Sequence, residues 1–318
     1  MKKQIVVYKK LPAPLLEALR AEFEVTYFEK IDAGNRPAFE AAVRAAHGLL
    51  GASVKIDGAM LDGAERLQII STISVGVDQF DLAYLERRGI MLANTPDVLT
   101  ETTADTIFSL ILSSARRVVE LAEYVKAGKW THSVGEAQYG VNVHGKTIGL
   151  LGMGRIGRAV ARRAALGFGM KVFYVNAEPV PEADEAFGAR QVALEKLLSE
   201  SDFVCVVLPL TPQTEKLMGA REFAQMRPGA IFINGSRGRI VDEAALIEAL
   251  REGRIHGAGL DVFEREPLAP DSELLRMPNV VALPHIGSAT HETRYAMAQT
   301  AVDNLVAGLR GERPANLI

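Results

Sequence analysis

The stretch that most constrains the fold of this chain is a glycine-rich turn inside "KTIGLLGMGRIGRAV". Gly152, Gly154 and Gly157 form the pattern G-x-G-x-x-G. The pattern alone is common, but here an apolar strand-like run precedes it and a helical run follows it. A further strand-like run, "KVFYV", comes about twenty residues later. This context predicts a strand, turn, helix and strand that belong to one parallel sheet.

The same turn predicts a dinucleotide-binding site. Gly152 permits the tight turn, Gly154 lets the backbone approach a pyrophosphate, and Gly157 lets the helix pack on the strand. The phosphates would lie at the helix N-terminus, where unpaired N–H groups and the helix dipole favour negative charge. The alternative is a glycine-rich turn without a ligand, and the strand-helix-strand context argues against it.

The residue that ends the next strand bears on the choice of dinucleotide. An NAD site usually carries Asp or Glu at this point to bind the ribose hydroxyls, whereas this chain has Asn176. The missing carboxylate weakens a preference for NAD. However, no arginine or lysine follows in "AEP", and Glu178 has the wrong charge for a 2′-phosphate. From these residues alone the choice between NAD and NADP stays open, and Asn176 as an ordinary strand end is the alternative.

Strand-like and helix-like runs alternate along the chain, which predicts an α/β fold with two doubly wound, Rossmann-like parallel sheets and a cleft between their domains. One series runs from "QIVVY" to "IMLANTP", and a second from "KTIGLL" to "NVVALPH". Between them, a single long helix is predicted from "TETTAD" to Gly128. The length of 318 residues suits two domains.

The last helical run, from about 289 to 309, follows the completed second series. We expect it to pack on the first series, which makes that domain discontinuous. The predicted substrate-binding domain is therefore 1–99 plus 289–318, and the predicted dinucleotide-binding domain is 100–288. The apolar face of the last helix is predicted to contain Tyr295, Ala298, Val302, Leu305 and Leu309.

Composition excludes several classes of protein. The net charge of -3, with charges of both signs interspersed, gives no basic footprint for nucleic acid. No apolar run approaches the roughly 18 residues of a membrane span, and the N-terminal apolar run is too short for a signal peptide. The single cysteine, Cys205, lies in the apolar run "DFVCVVLPL" and is predicted to be buried. We therefore expect a cytoplasmic protein.

No metal site is predicted from the histidines outside "VALPHIGSAT", because none has the spacing of a metal ligand set. These residues are His47, His132, His144, His256 and His291.

Three polar residues each follow a predicted strand of the second series: Arg237 in "FINGSRGRIVD", Glu266 in "GLDVFEREP" and His285 in "VALPHIGSAT". Taken singly, they are a solvated arginine, a loop carboxylate and a turn histidine. However, the carboxyl ends of parallel strands share one edge of the sheet, where ligands bind. Three such residues beside a dinucleotide turn therefore favour a catalytic set.

These motifs, "GMGRIG", "INGSRG", "GLDVFEREP" and "PHIGSATHETR", stand at the spacing of the D-isomer-specific 2-hydroxyacid dehydrogenases, which the chain resembles over essentially its whole length. "STISVGVDQFD" and "TPDVLTETTADT" are most similar to bacterial glyoxylate/hydroxypyruvate reductases and 2-ketogluconate reductases. The resemblance implies an oxidoreductase that transfers hydride from a reduced nicotinamide to glyoxylate, hydroxypyruvate, 2-ketogluconate or a similar small 2-keto acid. Two alternatives are a formate- or phosphite-type dehydrogenase and a nucleotide-sensing, corepressor-like binding protein of the same fold.

By this resemblance, Arg237 binds the substrate carboxylate and keto oxygen, His285 is the general acid, and Glu266 orients the imidazole. A planar guanidinium suits a carboxylate and a developing alkoxide. The other substrate-binding residues implied are Val75, Gly76 and Ser288. The cofactor-binding residues implied are Gly152, Gly154, Arg155, Ile156, Gly157, Asn176, Pro209, Thr214, Gly235, Asp261, His285 and Gly287.

Similarity to the subgroup favours NADP(H) as the cofactor, with NAD(H) as the alternative. The chain departs from the NADPH-using relatives in one respect, since they commonly carry arginine just after the position of Asn176. In the family, the segment that begins near Trp130 packs on a second subunit, so we expect a homodimer. A buried Trp130 in the core of its own subunit is the alternative.

Overall fold

The computed structural model describes residues 2–318 and divides the chain into two units. One unit comprises Met1–Leu99 together with Ala289–Ile318, and the other comprises Thr100–Ser288. Each unit contains one β-sheet, and every strand pair in both sheets is parallel. The predicted α/β class with two parallel sheets is therefore confirmed.

The first part of the chain forms a five-stranded sheet in the order β2-β1-β3-β4-β5. Its strands β3 and β4 are buried along their whole length, which explains why "GLLG" and "IIST" show no polar alternation. The elements are β1 (Gln4–Val7), α1 (Ala13–Glu22), β2 (Glu24–Tyr27), α2 (Arg36–Ala45), β3 (Gly48–Gly51), β4 (Ile69–Thr72), α3 (Leu82–Arg88) and β5 (Met91–Ala93).

The second unit forms a seven-stranded sheet in the order β12-β11-β10-β9-β6-β7-β8. The strand order reverses at β6, which has β7 on one side and β9 on the other. The elements are α4 (Thr100–Ala115), α5 (Val118–Lys126), β6 (Thr147–Leu151), α6 (Arg155–Arg162), β7 (Lys171–Val175), α7 (Pro181–Phe187), β8 (Arg190–Gln191), α8 (Leu194–Glu200), β9 (Phe203–Val206), α9 (Ala220–Gln225), β10 (Ile231–Asn234), α10 (Glu243–Arg251), β11 (Gly257–Leu260) and β12 (Val280–Ala282).

Both faces of the seven-stranded sheet are covered, because successive side chains along each strand enter two different cores. In β9, for example, Cys205 packs in the core formed with α4 and α6, whereas Val204 and Val206 pack in the core formed with α8, α9 and α10. Strands that are buried on both faces read as continuous apolar runs, as "FVCV" does. This arrangement is the doubly wound architecture.

The final helix, α11 (His291–Leu309), packs on β3, β4 and β5 of the first sheet. The Ser71 hydroxyl in β4 donates a hydrogen bond of 2.7 Å to the carbonyl oxygen of Ala301. Four residues of the predicted apolar face are buried, but Tyr295 is exposed. Tyr295 precedes Ala301 by more than one helical turn and so lies beyond the end of β4, where no strand covers it.

The predicted single helix up to Gly128 is wrong, because the chain breaks between α4 and α5. Arg117 has a φ of 54°, in the left-handed region that interrupts an α-helix. Its guanidinium donates two hydrogen bonds of 2.8 and 2.6 Å to Glu120. It also donates to the carbonyl oxygens of Ala137 and Tyr139, at 2.6 and 3.3 Å. These contacts hold the break in place.

Trp130 and Cys205, each the only residue of its type, lie in opposite environments. Trp130 is 61% exposed, so its placement in the core is wrong. Cys205 is fully buried, as predicted, and burial raises the pKa of its thiol to about 12. A thiol with this pKa stays protonated at neutral pH and is a poor nucleophile.

None of the helices within residues 2–318 has the length and hydropathy that crossing a bilayer requires. No group of three or more His, Cys, Asp or Glu side chains within the range is arranged as metal ligands are.

We predict that Gly259→Ala destabilises the second unit, because a Cβ atom there would lie 2.9 Å from Leu110 Cβ in α4 and 2.9 Å from Ile233 Cδ1. Overpacking of this kind costs about 1–3 kcal/mol of unfolding free energy. Urea denaturation followed by circular dichroism measures the loss. Gly167→Ala is the control, since no atom lies within 4 Å of its added Cβ. Equal stability of the two variants would contradict the prediction.

Candidate active site

The glycine turn after β6 forms a cradle in which backbone groups are accessible. Gly152 has a φ of 105°, and a Cβ atom there would lie 2.8 Å from the carbonyl oxygen of Val207. A Cβ on Gly157 would lie 2.3 Å from the carbonyl oxygen of Gly152. Gly154 has no atom within 4 Å of an added Cβ and immediately precedes α6. The open space at Gly154 and the N–H groups of the first turn of α6 fit a dinucleotide pyrophosphate.

Two residues of this turn predicted to bind the cofactor differ in exposure. Arg155 is exposed, whereas Ile156 is half-buried and packs against the core shared with α4. Ile156 therefore fixes the first turn of α6 on the sheet, whereas the Arg155 side chain lies at the surface.

Asn176 braces the loop beyond β7. Its side-chain oxygen accepts a hydrogen bond of 3.2 Å from the Met153 N–H, and its side-chain nitrogen donates one of 2.8 Å to the Glu178 carbonyl oxygen. The side chain therefore connects the glycine turn to the loop beyond β7. The Glu178 side chain is exposed at this end of the cradle.

Pro209 and Thr214 lie in one loop beyond β9, the strand beside β6. The Thr214 hydroxyl donates a hydrogen bond of 2.7 Å to the Pro209 carbonyl oxygen. It also accepts a hydrogen bond of 2.8 Å from the Thr211 N–H. The two predicted cofactor-binding residues are thus held together at the carboxyl end of the sheet, next to the glycine turn.

The turn that carries Arg237 is organised by Asn234, a residue that the sequence did not single out. Asn234 ends β10 and is buried. Its side-chain nitrogen donates a hydrogen bond of 3.1 Å to the Arg237 carbonyl oxygen. Its side-chain oxygen accepts hydrogen bonds of 3.1 Å from both the N–H and the hydroxyl of Ser236. At Gly235, an added Cβ would lie 2.4 Å from Ile107 Cγ1 in α4. The only signal in the sequence was a polar residue at the end of an apolar strand.

Glu266 lies beside this turn because the backbones beyond β10 and β11 touch. A Cβ on Gly238 would lie 1.8 Å from the carbonyl group of Phe263. One carboxylate oxygen of Glu266 accepts a hydrogen bond of 3.1 Å from the Phe263 N–H. The Arg237 guanidinium donates a hydrogen bond of 2.8 Å to the Ser236 carbonyl oxygen, and its positive charge lowers the pKa of Glu266.

His285 contacts the other carboxylate oxygen of Glu266, with Nδ1 and Oε2 2.8 Å apart. The backbone of His285 has a φ of 53°, which is uncommon for a residue other than glycine. The Asp261 carboxylate fixes this turn, because it accepts a hydrogen bond of 2.7 Å from the Ile286 N–H and one of 2.8 Å from the Gly287 N–H. Asp261 itself directly follows β11.

The two carboxylates have pKa values shifted in opposite directions. Burial raises the pKa of Glu266, but the hydrogen bond with His285, the N–H of Phe263 and the positive charges of His285 and Arg237 outweigh it, so the pKa is below its ordinary value. Burial also raises the pKa of Asp261, and there the two backbone N–H groups offset it only in part. Glu266 is therefore ionised at neutral pH.

Three neighbouring strands thus bring Arg237, Glu266 and His285 to one edge of the second sheet, with Gly287 and Ser288 two and three positions after His285. The free ring nitrogen of His285, Nε2, is available to a substrate oxygen. An imidazole held at Nδ1 by an ionised carboxylate can donate a proton from Nε2 to a carbonyl oxygen. A guanidinium beside them can bind the anion that carries this carbonyl group.

Val75 and Gly76 belong to the first unit, in the turn after β4. Both carbonyl oxygens accept hydrogen bonds. That of Val75 accepts one of 2.8 Å from the Asn94 side chain, and that of Gly76 accepts one of 2.8 Å from the Ser74 hydroxyl. These bonds fix the turn and leave the N–H groups of Val75 and Gly76 to bind an anion.

A family model matches residues 108–287: the D-isomer specific 2-hydroxyacid dehydrogenase, NAD binding domain. The chain is 55% identical over 318 residues to the glyoxylate/hydroxypyruvate reductase B of Yersinia enterocolitica, covering 100% of this chain and 98% of that protein.

Two solved structures are also similar. One is the NADPH-dependent glyoxylate/hydroxypyruvate reductase of Sinorhizobium meliloti in complex with NADP and malonate, with 34% identity, a TM-score of 0.87 and coverage of 100% of this chain and 97% of that one. The other is a Thermus thermophilus protein with 43% identity, a TM-score of 0.91 and coverage of 99% of both chains.

We predict that Glu266→Gln changes how stability depends on pH. Because the pKa of Glu266 is lowered in the folded chain, its ionised form favours folding. The stability of the wild type relative to the variant is greatest above about pH 5, where an unperturbed glutamate with a pKa of about 4.3 is already ionised. This difference shrinks as the pH falls through the folded pKa.

Urea unfolding of both proteins from about pH 3 to pH 7 measures the effect. Glu264→Gln is the control, since this nearby carboxylate is exposed and lies 3.6 Å from the Lys216 amine. A difference between wild type and Glu266→Gln that is constant over the whole range would contradict the prediction.

Proposed function

The chain belongs to the D-isomer-specific 2-hydroxyacid dehydrogenase family, and from this premise we propose that it reduces glyoxylate, hydroxypyruvate and similar small 2-keto acids. The products are the oxidised dinucleotide and the 2-hydroxy acid, which is the D-isomer wherever its second carbon is a stereocentre. The observation that carries the proposal is the contact between His285 and Glu266 at the same sheet edge as Arg237 and the glycine turn. The name of the Yersinia enterocolitica relative supports the choice of substrates.

When bound, the reduced nicotinamide supplies the hydride that is added to the keto carbon of the substrate. In our proposal, His285 donates the proton that the carbonyl oxygen requires. Glu266 accepts the hydrogen bond from Nδ1, which turns Nε2 towards the substrate and stabilises the positive charge of the ring before transfer. One hydride and one proton convert the keto acid into the hydroxy acid, so the reaction is balanced.

Arg237 is proposed to bind the substrate carboxylate and to stabilise the charge that develops on the keto oxygen. A guanidinium presents several N–H donors in one plane, which suits a carboxylate and an adjacent oxygen. Asn234 holds the Arg237 turn by its backbone carbonyl, which supports a fixed direction for the side chain. Val75, Gly76 and Ser288 remain predicted substrate-binding residues.

NADP(H) is the favoured cofactor, and the Sinorhizobium meliloti reductase, solved with NADP, supports this choice. The proposed pyrophosphate contacts are the N–H groups after Gly154. Pro209, Thr214, Gly235, Asp261 and Gly287 remain predicted cofactor-binding residues. The exposed Glu178 carboxylate opposes a 2′-phosphate, so kinetics with both NADH and NADPH belong in the test.

The relatives described above favour a keto acid reductase over the alternatives. A formate- or phosphite-type dehydrogenase and a corepressor-like binding protein find no support among them. 2-Ketogluconate stays a candidate substrate on the resemblance of the sequence alone.

We further propose that the protein is a homodimer formed through its arm, defined as α5 and the following segment 127–141. The arm exposes several large apolar side chains, and no residue of α5 is buried. Large exposed apolar patches on a folded chain commonly mark interfaces. Its exposed apolar residues are Val118, Val119, Val125, Trp130, Val134, Tyr139 and Val141.

A cytoplasmic location without nucleic-acid partners is part of the proposal. It rests on the single buried cysteine, which leaves no disulfide to form within the chain, and on the net charge of -3.

The direct test mixes the protein with NADH or NADPH and with glyoxylate, hydroxypyruvate or 2-ketogluconate, and follows the absorbance of the reduced nicotinamide. We predict that Arg237→Ala lowers kcat/KM by about 10²–10³, because a donor to the developing oxyanion is lost. Cofactor affinity, measured by fluorescence titration, should stay unchanged.

Arg239→Ala is the matched control, since this exposed arginine two positions on forms an ion pair of 2.6 Å with Glu215. If neither NADH nor NADPH is oxidised with any of the three keto acids, the proposed function is contradicted. A loss of cofactor affinity in Arg237→Ala would contradict the role of Arg237.

The dimer is tested with Val125→Asp and Trp130→Asp, which place charges in the exposed apolar part of the arm. We predict that the wild type has twice the mass of the chain in light scattering, and that the double variant dissociates because buried charges are unfavourable. Asp303→Asn, a surface change on α11, is the control. A wild type that is monomeric at micromolar concentration would contradict the proposal.

A further inference from the structure

Glu178 lies beside the glycine turn, in the loop between β7 and α7, residues 176–180. One side-chain amide connects the loop to the turn, because Asn176 accepts a hydrogen bond from the Met153 N–H and donates one to the Glu178 carbonyl oxygen. Asn176 stands where an NAD site usually carries its acidic residue, and its amide is bonded within the protein at both its oxygen and its nitrogen. Glu178 is the first carboxylate after this position in the chain.

The loop is fixed on both sides of Glu178. On one side, the Gln191 side chain in β8 donates a hydrogen bond of 2.8 Å to the Asn176 carbonyl oxygen. On the other side, the Val180 N–H donates one of 3.0 Å to the hydroxyl of Tyr174, a buried residue of β7. The Glu178 side chain itself is exposed. A ligand at this corner of the cradle therefore meets a carboxylate whose backbone is already held to the sheet.

Every charged side chain in the segment between Lys171 and Arg190 is acidic. The segment has four acidic residues, of which Glu178 lies in the loop and the other three belong to α7. Arg155 and Arg158 are on α6, the helix whose N-terminus is proposed to bind the pyrophosphate. The segment after β7 therefore offers acceptor oxygens and no cation to the adenosine ribose of a dinucleotide.

These properties distinguish between two dinucleotides that differ only at the 2′ position of the adenosine ribose. NADH has a hydroxyl group there, which can donate a hydrogen bond to a carboxylate. NADPH has a phosphate group, which carries a charge of about −1.5 to −2 at neutral pH and is repelled by a carboxylate. A carboxylate at this position therefore favours the binding of NADH relative to that of NADPH.

We propose that Glu178 is a specificity-determining residue of the cofactor site. Its carboxylate accepts a hydrogen bond from the 2′-hydroxyl of NADH and repels the 2′-phosphate of NADPH. This inference rests on the proposed function and deepens it, because the chain then uses NADH as well as NADPH. The preference for NADPH is smaller than it would be with a neutral or basic side chain at this position. Glu178 takes no part in the hydride or proton transfer.

Fluorescence titration with NADH and with NADPH, in the absence of a keto acid, gives the two dissociation constants that test the inference. Glu178→Gln keeps the size of the side chain without its charge. We expect it to strengthen the binding of NADPH relative to NADH by about tenfold, the size expected when repulsion between a carboxylate and a nearby phosphate in water is lost. Glu178→Arg, which introduces a cation, should raise this ratio further. Competition with 5′-AMP and with adenosine 2′,5′-bisphosphate should show the same change, which assigns it to the adenosine end.

Glu185→Gln is the matched control, since it removes the same charge from an exposed position of α7. It should leave the ratio nearly unchanged, because charges that are exposed and more distant are screened by salt. An unchanged ratio in Glu178→Gln, or a change of the same size in Glu185→Gln, would overturn the inference. A wild type that binds NADPH but not NADH would overturn it as well. A protein that shows the expected change in binding but reduces none of the keto acids would instead overturn only the proposed function.

Discussion

Parallel pairing of the strands is the constraint on which the candidate site depends. Because β10, β11 and β12 run in the same direction side by side, the residues that follow them emerge at one edge of the second sheet. The glycine turn after β6 emerges at the same edge. A chain that reversed any one of these strands would place its polar residue at the opposite end of the sheet. The chemistry of the site is therefore a consequence of β-strand direction before it is a consequence of any single side chain.

The sequence predicted this edge well because its signals are local. A glycine pattern between a strand and a helix, and polar residues directly after apolar runs, each depend on neighbours within a few positions. Arg237, Glu266 and His285, which lie at this edge, were predicted as catalytic residues in this way. The break at Arg117 was not, because it depends on carbonyl oxygens of Ala137 and Tyr139, about twenty residues further along.

The hydrogen bonds by which Asn234 and Asn176 brace their loops were not predicted, for a related physical reason. Asn234 and Asn176 act through hydrogen bonds to backbone atoms whose positions are set by tertiary packing. Nothing in the letters around an asparagine reveals which backbone group it will bond. The short elements α7, α8, α9 and β8 also went unnoticed, since runs of two to seven residues carry too little periodicity to separate from loops.

Arg117 has a consequence for association of the arm. Its guanidinium connects the start of α5 to the backbone near residue 138, so the two ends of the arm are linked within one chain. A segment that is already ordered loses little conformational entropy when a second surface covers it. The favourable free energy of covering Trp130 and Tyr139, which are 61% and 60% exposed, is then available to association and is not consumed in ordering the chain. A single left-handed residue thereby orders the arm that we propose as the dimer interface.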